Sequence, residues 1–157
     1  MTSSKRFTII GVIVSILLLL FLSIKIPTIQ VSYMDGSFYL KEDTFEIGWT
    51  HSVEKEPWFE TFIRKGDALY LVETKFKTFG AGTPSTGEVI PSDDGFVHMK
   101  LDEKLTELNL TVSGNVKTTL YTGTSEVKLY QRVDDYEVVV IEVVKIPLWR
   151  LLRGENR

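Results

Sequence analysis

The chain has 157 residues, 43% hydrophobic and 25% charged, with 18 Lys and Arg against 21 Asp and Glu, a formal net charge of -3, and no cysteine. That length allows one membrane-spanning segment plus one domain, and the acidic balance excludes a nucleic-acid partner held by phosphate neutralisation. Without cysteine there is no disulfide scaffold, thiolate metal site, cysteine nucleophile or lipid-anchored cysteine.

Residues 1–6 read as a short cytoplasmic N-terminus. Phe7 to Ile24 follows as an 18-residue stretch without charge, in which only Thr8, Ser15 and Ser23 are polar. As a helix it would be about 27 Å long, close to the ~30 Å hydrocarbon core. Lys5 and Arg6 precede it and Lys25 follows, so the basic end is expected to stay in the cytoplasm and the remainder to lie outside. A cleaved signal peptide needs small residues at the recognition positions before the cut; Ser23-Ile24-Lys25-Ile26-Pro27 lacks them, which favours an uncleaved signal anchor over 7–24 in the cytoplasmic membrane. Residues 25–28 then read as a short linker, and 29–157 as the outer domain. From Thr28 onward the chain carries 15 Lys and Arg against 21 Asp and Glu, a net charge of -6 that argues against docking on anionic lipid.

The outer domain has a period of two, broken by turn residues at short intervals, and no convincing helical period. Ile29–Met34 and Phe38–Leu40 flank Asp35-Gly36, expected to form a type I′ hairpin turn. Thr44–Trp49 alternates; Trp58–Arg64 and Leu69–Phe79 flank Lys65-Gly66-Asp67. Further strands are expected at Phe96–Lys100, Glu107–Val112, Thr118–Tyr121, Glu126–Gln131 and Tyr136–Val144. The last is apolar on both parities and reads as a central strand covered on both faces. Gly80 to Gly95 is the longest irregular piece. The tail Pro147–Arg153 reads as a closing strand or short helix, or as a segment resting on the membrane or a partner. The fold class is therefore all-β, an antiparallel sandwich or barrel-like domain behind one N-terminal transmembrane helix.

Two stretches stand apart: Trp49-Thr50-His51-Ser52-Val53-Glu54 with Glu60 after it, and Glu73-Thr74 leading into Phe79-Gly80-Ala81-Gly82-Thr83-Pro84. On these motifs the chain resembles the bacterial domain-of-unknown-function family 1850, over most of the outer domain. Members are often encoded beside tripartite ATP-independent periplasmic (TRAP) transporters with the TAXI type of solute-binding protein. The resemblance thus implies an accessory or binding role in solute uptake, with transporter subunits as partners; it supplies no activity, cofactor or catalytic residue.

The residues themselves leave several chemistries open. His51, Ser52, Glu54, Glu60 and Glu73 form a candidate polar site. It would serve as a metal site of one imidazole and two carboxylates, as a general acid/base centred on His51 in a membrane-tethered hydrolase, or as a network fixing a loop. A turn on Gly66-Asp67 places Phe62 opposite Leu71 and Glu60 opposite Glu73, a like-charge pair that something must offset; a turn on Lys65-Gly66 places Glu60 opposite Leu71. Ser52 beside His51 does not make a hydrolase pair, since strand neighbours point to opposite faces. His98 reads as an ordinary half-exposed strand residue. Gly80, Gly82 and Pro84 mark a candidate loop that lacks the features of a phosphate loop and would form a pocket rim or contact surface near Trp49, Trp58, Phe76 and Phe79. Those aromatics read first as core, or, if exposed together, as a binding patch.

Overall fold

Apolar residues at alternate positions from Lys25 onward need a second layer to cover them, and the chain supplies it with two mostly antiparallel sheets. The computed structural model describes residues 3–123 and 125–152. Helix α1 (Ser3–Ser23) is followed by β1 (Lys25–Tyr33), β2 (Gly36–Tyr39), β3 (Thr44–Thr50), β4 (Pro57–Lys65), β5 (Ala68–Phe76), β6 (Glu88–Ile90), β7 (Val97–Leu105), β8 (Glu107–Thr111), β9 (Thr119–Tyr121) and β10 (Glu126–Lys128). A 3-10 turn (Leu129–Gln131), β11 (Val138–Pro147) and the short helix α2 (Leu148–Leu152) complete it. One sheet has the order β2-β1-β11-β8 and the other β10-β9-β3-β4-β5-β7-β6. The inward residues Ile29, Val31, Val139 and Ile141 of the first meet Phe45, Ile47, Phe62, Leu69, Leu71, Leu101 and Leu120 of the second in one core.

The chain divides into two compact units, Thr28–Val144 and the chain ends Met1–Pro27 with Lys145–Asn156. In the terminal unit, α1 presents apolar side chains such as Phe7, Ile13, Leu17 and Leu20 to the surroundings. Its side chains are described without interruption over residues 9–23, and among the described residues no helix is long and apolar enough to cross a membrane. In the same unit the Leu148 N–H at the start of α2 donates to the Ile24 carbonyl at 2.9 Å, so the tail groups with the N-terminal segment. Arg153, the last residue of the expected tail, and residues 1 and 2 lie outside the described residues, as does Thr124 of the expected turn there.

Several local expectations shift. Residues 25–28 are strand, not linker, because Thr28 is already buried and β1 starts at Lys25. The first hairpin turns on Met34-Asp35: Gly36 is the first residue of β2, opposite Tyr33, and neither turn residue takes positive φ, so no type I′ turn forms. Its loop is instead held by Glu137, whose carboxylate accepts the Met34 N–H at 2.5 Å and the Asp134 N–H at 3.1 Å. Strand β11 is central in its sheet, but one face alone is fully covered: Val139 and Ile141 are buried, whereas Val138 is 48% exposed. The 80–95 stretch contains an edge strand, β6, paired to β7.

Strands β4 and β5 turn on Gly66-Asp67, with Gly66 at φ 63, and Phe62 pairs with Leu71 as that turn requires. The register then shifts at Val72: Thr61 pairs with Glu73, and Glu60 with Thr74. This β-bulge reverses the parity of β5. Leu69 and Leu71 point inward before it, Thr74 and Phe76 after it, and Glu73 and Lys75 point out. The expected Glu60–Glu73 opposition therefore does not occur.

Phe62 is fully buried and stacked on Phe45, ring centroids 5.2 Å apart, at the middle of the core. Phe62→Ala should cost about 3–5 kcal/mol. In urea unfolding this is expected as a lower midpoint with an unchanged slope.

Candidate functional site

Inward alternation along β4 places Trp58, Glu60 and Phe62 on the core side of the seven-stranded sheet. A carboxylate between two core aromatics is unusual, since burying an ionised group without a partner is costly. Glu60 sits instead in the wall of a cavity of about 420 Å³, which also takes in Ile47, Trp49 and His51 from the β3 side and Asn109, Leu110 and Thr111 from β8 of the other sheet. Thr74, opposite Glu60, gives it no help: its hydroxyl accepts the Trp58 Nε1–H at 2.8 Å and donates to the Phe59 carbonyl at 3.3 Å. Loss of water, with repulsion from Glu103 added, pushes the Glu60 carboxyl up to about 7. It can therefore take or give a proton near neutrality.

Trp58 is the hub of an aromatic stack. Its ring lies 5.8 Å from Trp49, 5.5 Å from the His51 imidazole and 4.8 Å from Phe76, which in turn meets Phe79 edge-on at 5.2 Å. Trp58 and Phe76 are core, Trp49 is partly buried and Phe79 is 62% exposed.

At the rim, the β3–β4 loop is clasped to the loop after β5. Lys55, in a left-handed conformation at φ 59, turns the first loop, and the His51 N–H donates to the Glu56 carbonyl at 2.8 Å. Glu54 then bridges the two loops. Its Oε1 accepts the Ala81 N–H at 3.2 Å, and its Oε2 is buried against His51 Nδ1 with no conventional hydrogen-bond donor among the described residues. The backbone N–H groups of Val53 and Glu54 donate to the same Nδ1 at 3.4 and 3.3 Å. Gly80 is required here: a Cβ on it would overlap the Glu54 carboxylate. Gly82, at φ 82, is the third residue of a turn in which the Thr83 N–H and hydroxyl both reach the Gly80 carbonyl, at 3.4 and 2.9 Å. Thr78 donates to Glu56 at 2.8 Å and completes the clasp.

On the outer face of the same sheet, Glu73 meets His98. The His98 Nδ1 lies 2.5 Å from Glu73 and its Nε2 3.0 Å from Asp94. The Glu73 hydrogen bond, assisted by Asp94, raises the His98 pKa, while the Phe96 N–H, then His98 and Ser92, hold Asp94 down to about 2. Both ring nitrogens of His98 thus face a carboxylate. Among the described residues no group of three His, Asp or Glu is arranged to hold a metal ion.

The sequence-derived candidates thus separate into three places. His51 and Glu54 form the clasp with Gly80, with Ser52 exposed at its edge and no hydrogen bond between Ser52 and His51 among the described residues. Both lie in a loop, not on the extended strand expected of them. Glu60 lies in the cavity, which His51, Ser52 and Gly82 also line. Glu73 lies outside with His98. Pro84 is half-buried in the loop beyond Gly82. Glu103 and Asn109 carry no motif and owe their places to strand pairing, Asp94 comes from the loop before β7, and Thr74 stands in the Glu73-Thr74 motif with no role expected of it.

The family model described as a domain of unknown function (DUF1850) matches residues 45–129, more than half of the chain. The chain belongs to the DUF1850 family. The match runs from β3 through β10 and contains the clasp and all the cavity-lining residues, while α1, β1, β2 and β11 lie beyond it. No curated protein and no solved structure matches this DUF1850 chain.

Two predictions follow from this geometry. Glu60 is protonated in the folded state up to about pH 7 but in the unfolded chain only to about 4.5. Stability is therefore lost as pH rises between these values. Glu60→Gln should leave thermal unfolding at pH 4 nearly unchanged and raise the melting temperature at pH 8, by the equivalent of at most about 3 kcal/mol. Gly80→Ala and Glu54→Ala should each cost about 1–2 kcal/mol by opening the same clasp. In a double-mutant cycle the pair should cost little more than either alone.

Proposed function

We propose that this DUF1850 chain is a membrane-tethered, extracytoplasmic binding module whose cavity takes a small ligand, and that it serves as an accessory to a TRAP-type solute transporter of the TAXI class. The observation that carries the binding reading is the cavity between the two sheets. Its volume, about 420 Å³, is in the range used for small molecules. Its walls combine aromatic and aliphatic side chains such as Trp49, Trp58, Ile47 and Leu110 with polar ones, and it holds a carboxyl, Glu60, for which the described residues show no ion-pair partner. A core built for stability alone would fill that space and would not place Glu60 between Trp58 and Phe62.

Tethering is supported by the uncharged Phe7–Ile24 stretch behind Lys5 and Arg6 and by the apolar side chains that α1 leaves uncovered. The polarity of the basic residues favours the β unit outside the cytoplasm. The transporter partnership rests on the family's frequent encoding beside TAXI-type systems. The hydrolase alternative has less support: Glu60 titrates near neutrality and shares the cavity with His51, but His51 Nδ1 faces Glu54, and Glu73 is on the far face.

The full-length chain in detergent should show a higher melting temperature with at least one compound in a panel of small solutes, because a ligand of the folded state stabilises by mass action. Trp49→Ala should reduce that shift. The chain should remain in the membrane pellet after alkaline extraction, and a variant lacking residues 7–24 should not. No shift across the panel would count against the binding role, and release by alkali against the anchor.

A further inference from the structure

We infer that the cavity selects an organic cation: a primary or quaternary ammonium carried on a small apolar body. The inference rests on the cavity reading above and names the ligand class. The cavity walls contain one carboxylate, two indole rings and no Lys or Arg. Arg64, on the same face of β4, is committed to Asp43 at 2.5 Å and to the Gly66 carbonyl at 3.1 Å. Glu103 from β7, also negative, repels the Glu60 carboxylate, and His51 from the β3–β4 loop lines the same cavity with its Nδ1 facing Glu54. From β3 the walls offer Ile47 and Trp49, and from β8 Asn109, Leu110 and Thr111, none of them charged.

An anionic ligand would meet the Glu60 carboxylate in the wall, with no Lys or Arg there to offset it. An ammonium supplies the missing counter-charge, and aromatic faces such as those of Trp49 and Trp58 attract cations. Its apolar body replaces water against Ile47 and Leu110.

Proton linkage follows from the carboxyl's raised titration near 7. A cation binds the ionised form, so protonation of Glu60 competes with it. An alkylammonium stays charged throughout the range, and its affinity should fall about tenfold from pH 8 to pH 6. A neutral ligand should show no such change.

The test uses the full-length protein in detergent and three probes of one shape: 2-phenylethylamine, 2-phenylethanol and 3-phenylpropionate, titrated calorimetrically at pH 8 and pH 6. The amine should bind about tenfold or more tighter than the alcohol at pH 8 and lose that advantage at pH 6. Glu60→Gln should abolish both the preference and its pH dependence, and a cooperative thermal unfolding transition of the variant reports that it is folded. Binding of the alcohol or the acid with no preference for the amine would overturn the ligand class and leave the cavity's binding role standing. Persistence of the pH dependence in Glu60→Gln would overturn the assignment to Glu60. Absence of binding by all three would overturn the inference outright, and a wider panel that still raises the melting temperature would then show that the binding role survives it.

Discussion

One extra residue in β5 decides what the inter-sheet space contains. At Val72 the strand gains a position relative to β4, and from there on its side chains exchange faces. Without that reversal Glu73 would stand opposite Glu60, two carboxylates in one apolar space, where like charges directly opposed are unfavourable. With it, Thr74 takes the inward place and its hydroxyl satisfies the Trp58 indole. Glu73 goes to the outer surface, where His98 receives it. Trp58, fixed by Thr74, then organises the stack with Trp49, His51 and Phe76 that forms one end of the cavity.

The rim shows the same economy. The His51-Ser52-Val53-Glu54 run and the Gly80-Ala81-Gly82 run are far apart in sequence and share no strand, yet one side chain joins them. Glu54 reaches His51 with one oxygen and the Ala81 amide with the other. The glycine before that amide is there because the carboxylate leaves no room for a side chain. A similar close approach explains Gly48 on the outer face, where the Phe59 ring covers the spot a Cβ would need, 2.7 Å away. These glycines are determined by what lies on top of them, not by the conformation of their own backbone.

Much of the β architecture could be read directly, because alternation in β3, β4, β8 and β9 is a local property of the chain. The Gly66-Asp67 turn was legible for the same reason. The bulge was not, since Val72 is an ordinary strand residue and the register slips only where Glu73 finds Lys100 on β7 as well as Thr61 on β4. His98 looked unremarkable for a related reason. Its partners Glu73 and Asp94 come from a strand whose parity had changed and from a loop with no periodic signal. His51, Glu54 and Glu60 were recognisable as a polar group, but not as members of two different structures, because the division depends on which side of the sheet and which loop each one faces. Edge strand β6 is three residues long, too short for alternation to register.

The wall that β8 gives to the cavity has a neighbour on one side alone. This strand ends its sheet, paired to β11 and to nothing beyond, and contributes five residues. Backbone at such a margin opens at a lower free-energy cost than backbone bonded on both flanks. The wall built from Asn109 to Thr111 is therefore the softer side of the cavity, and the wall built from Trp49, Trp58 and Glu60, in strands bonded on both flanks, is the stiffer one.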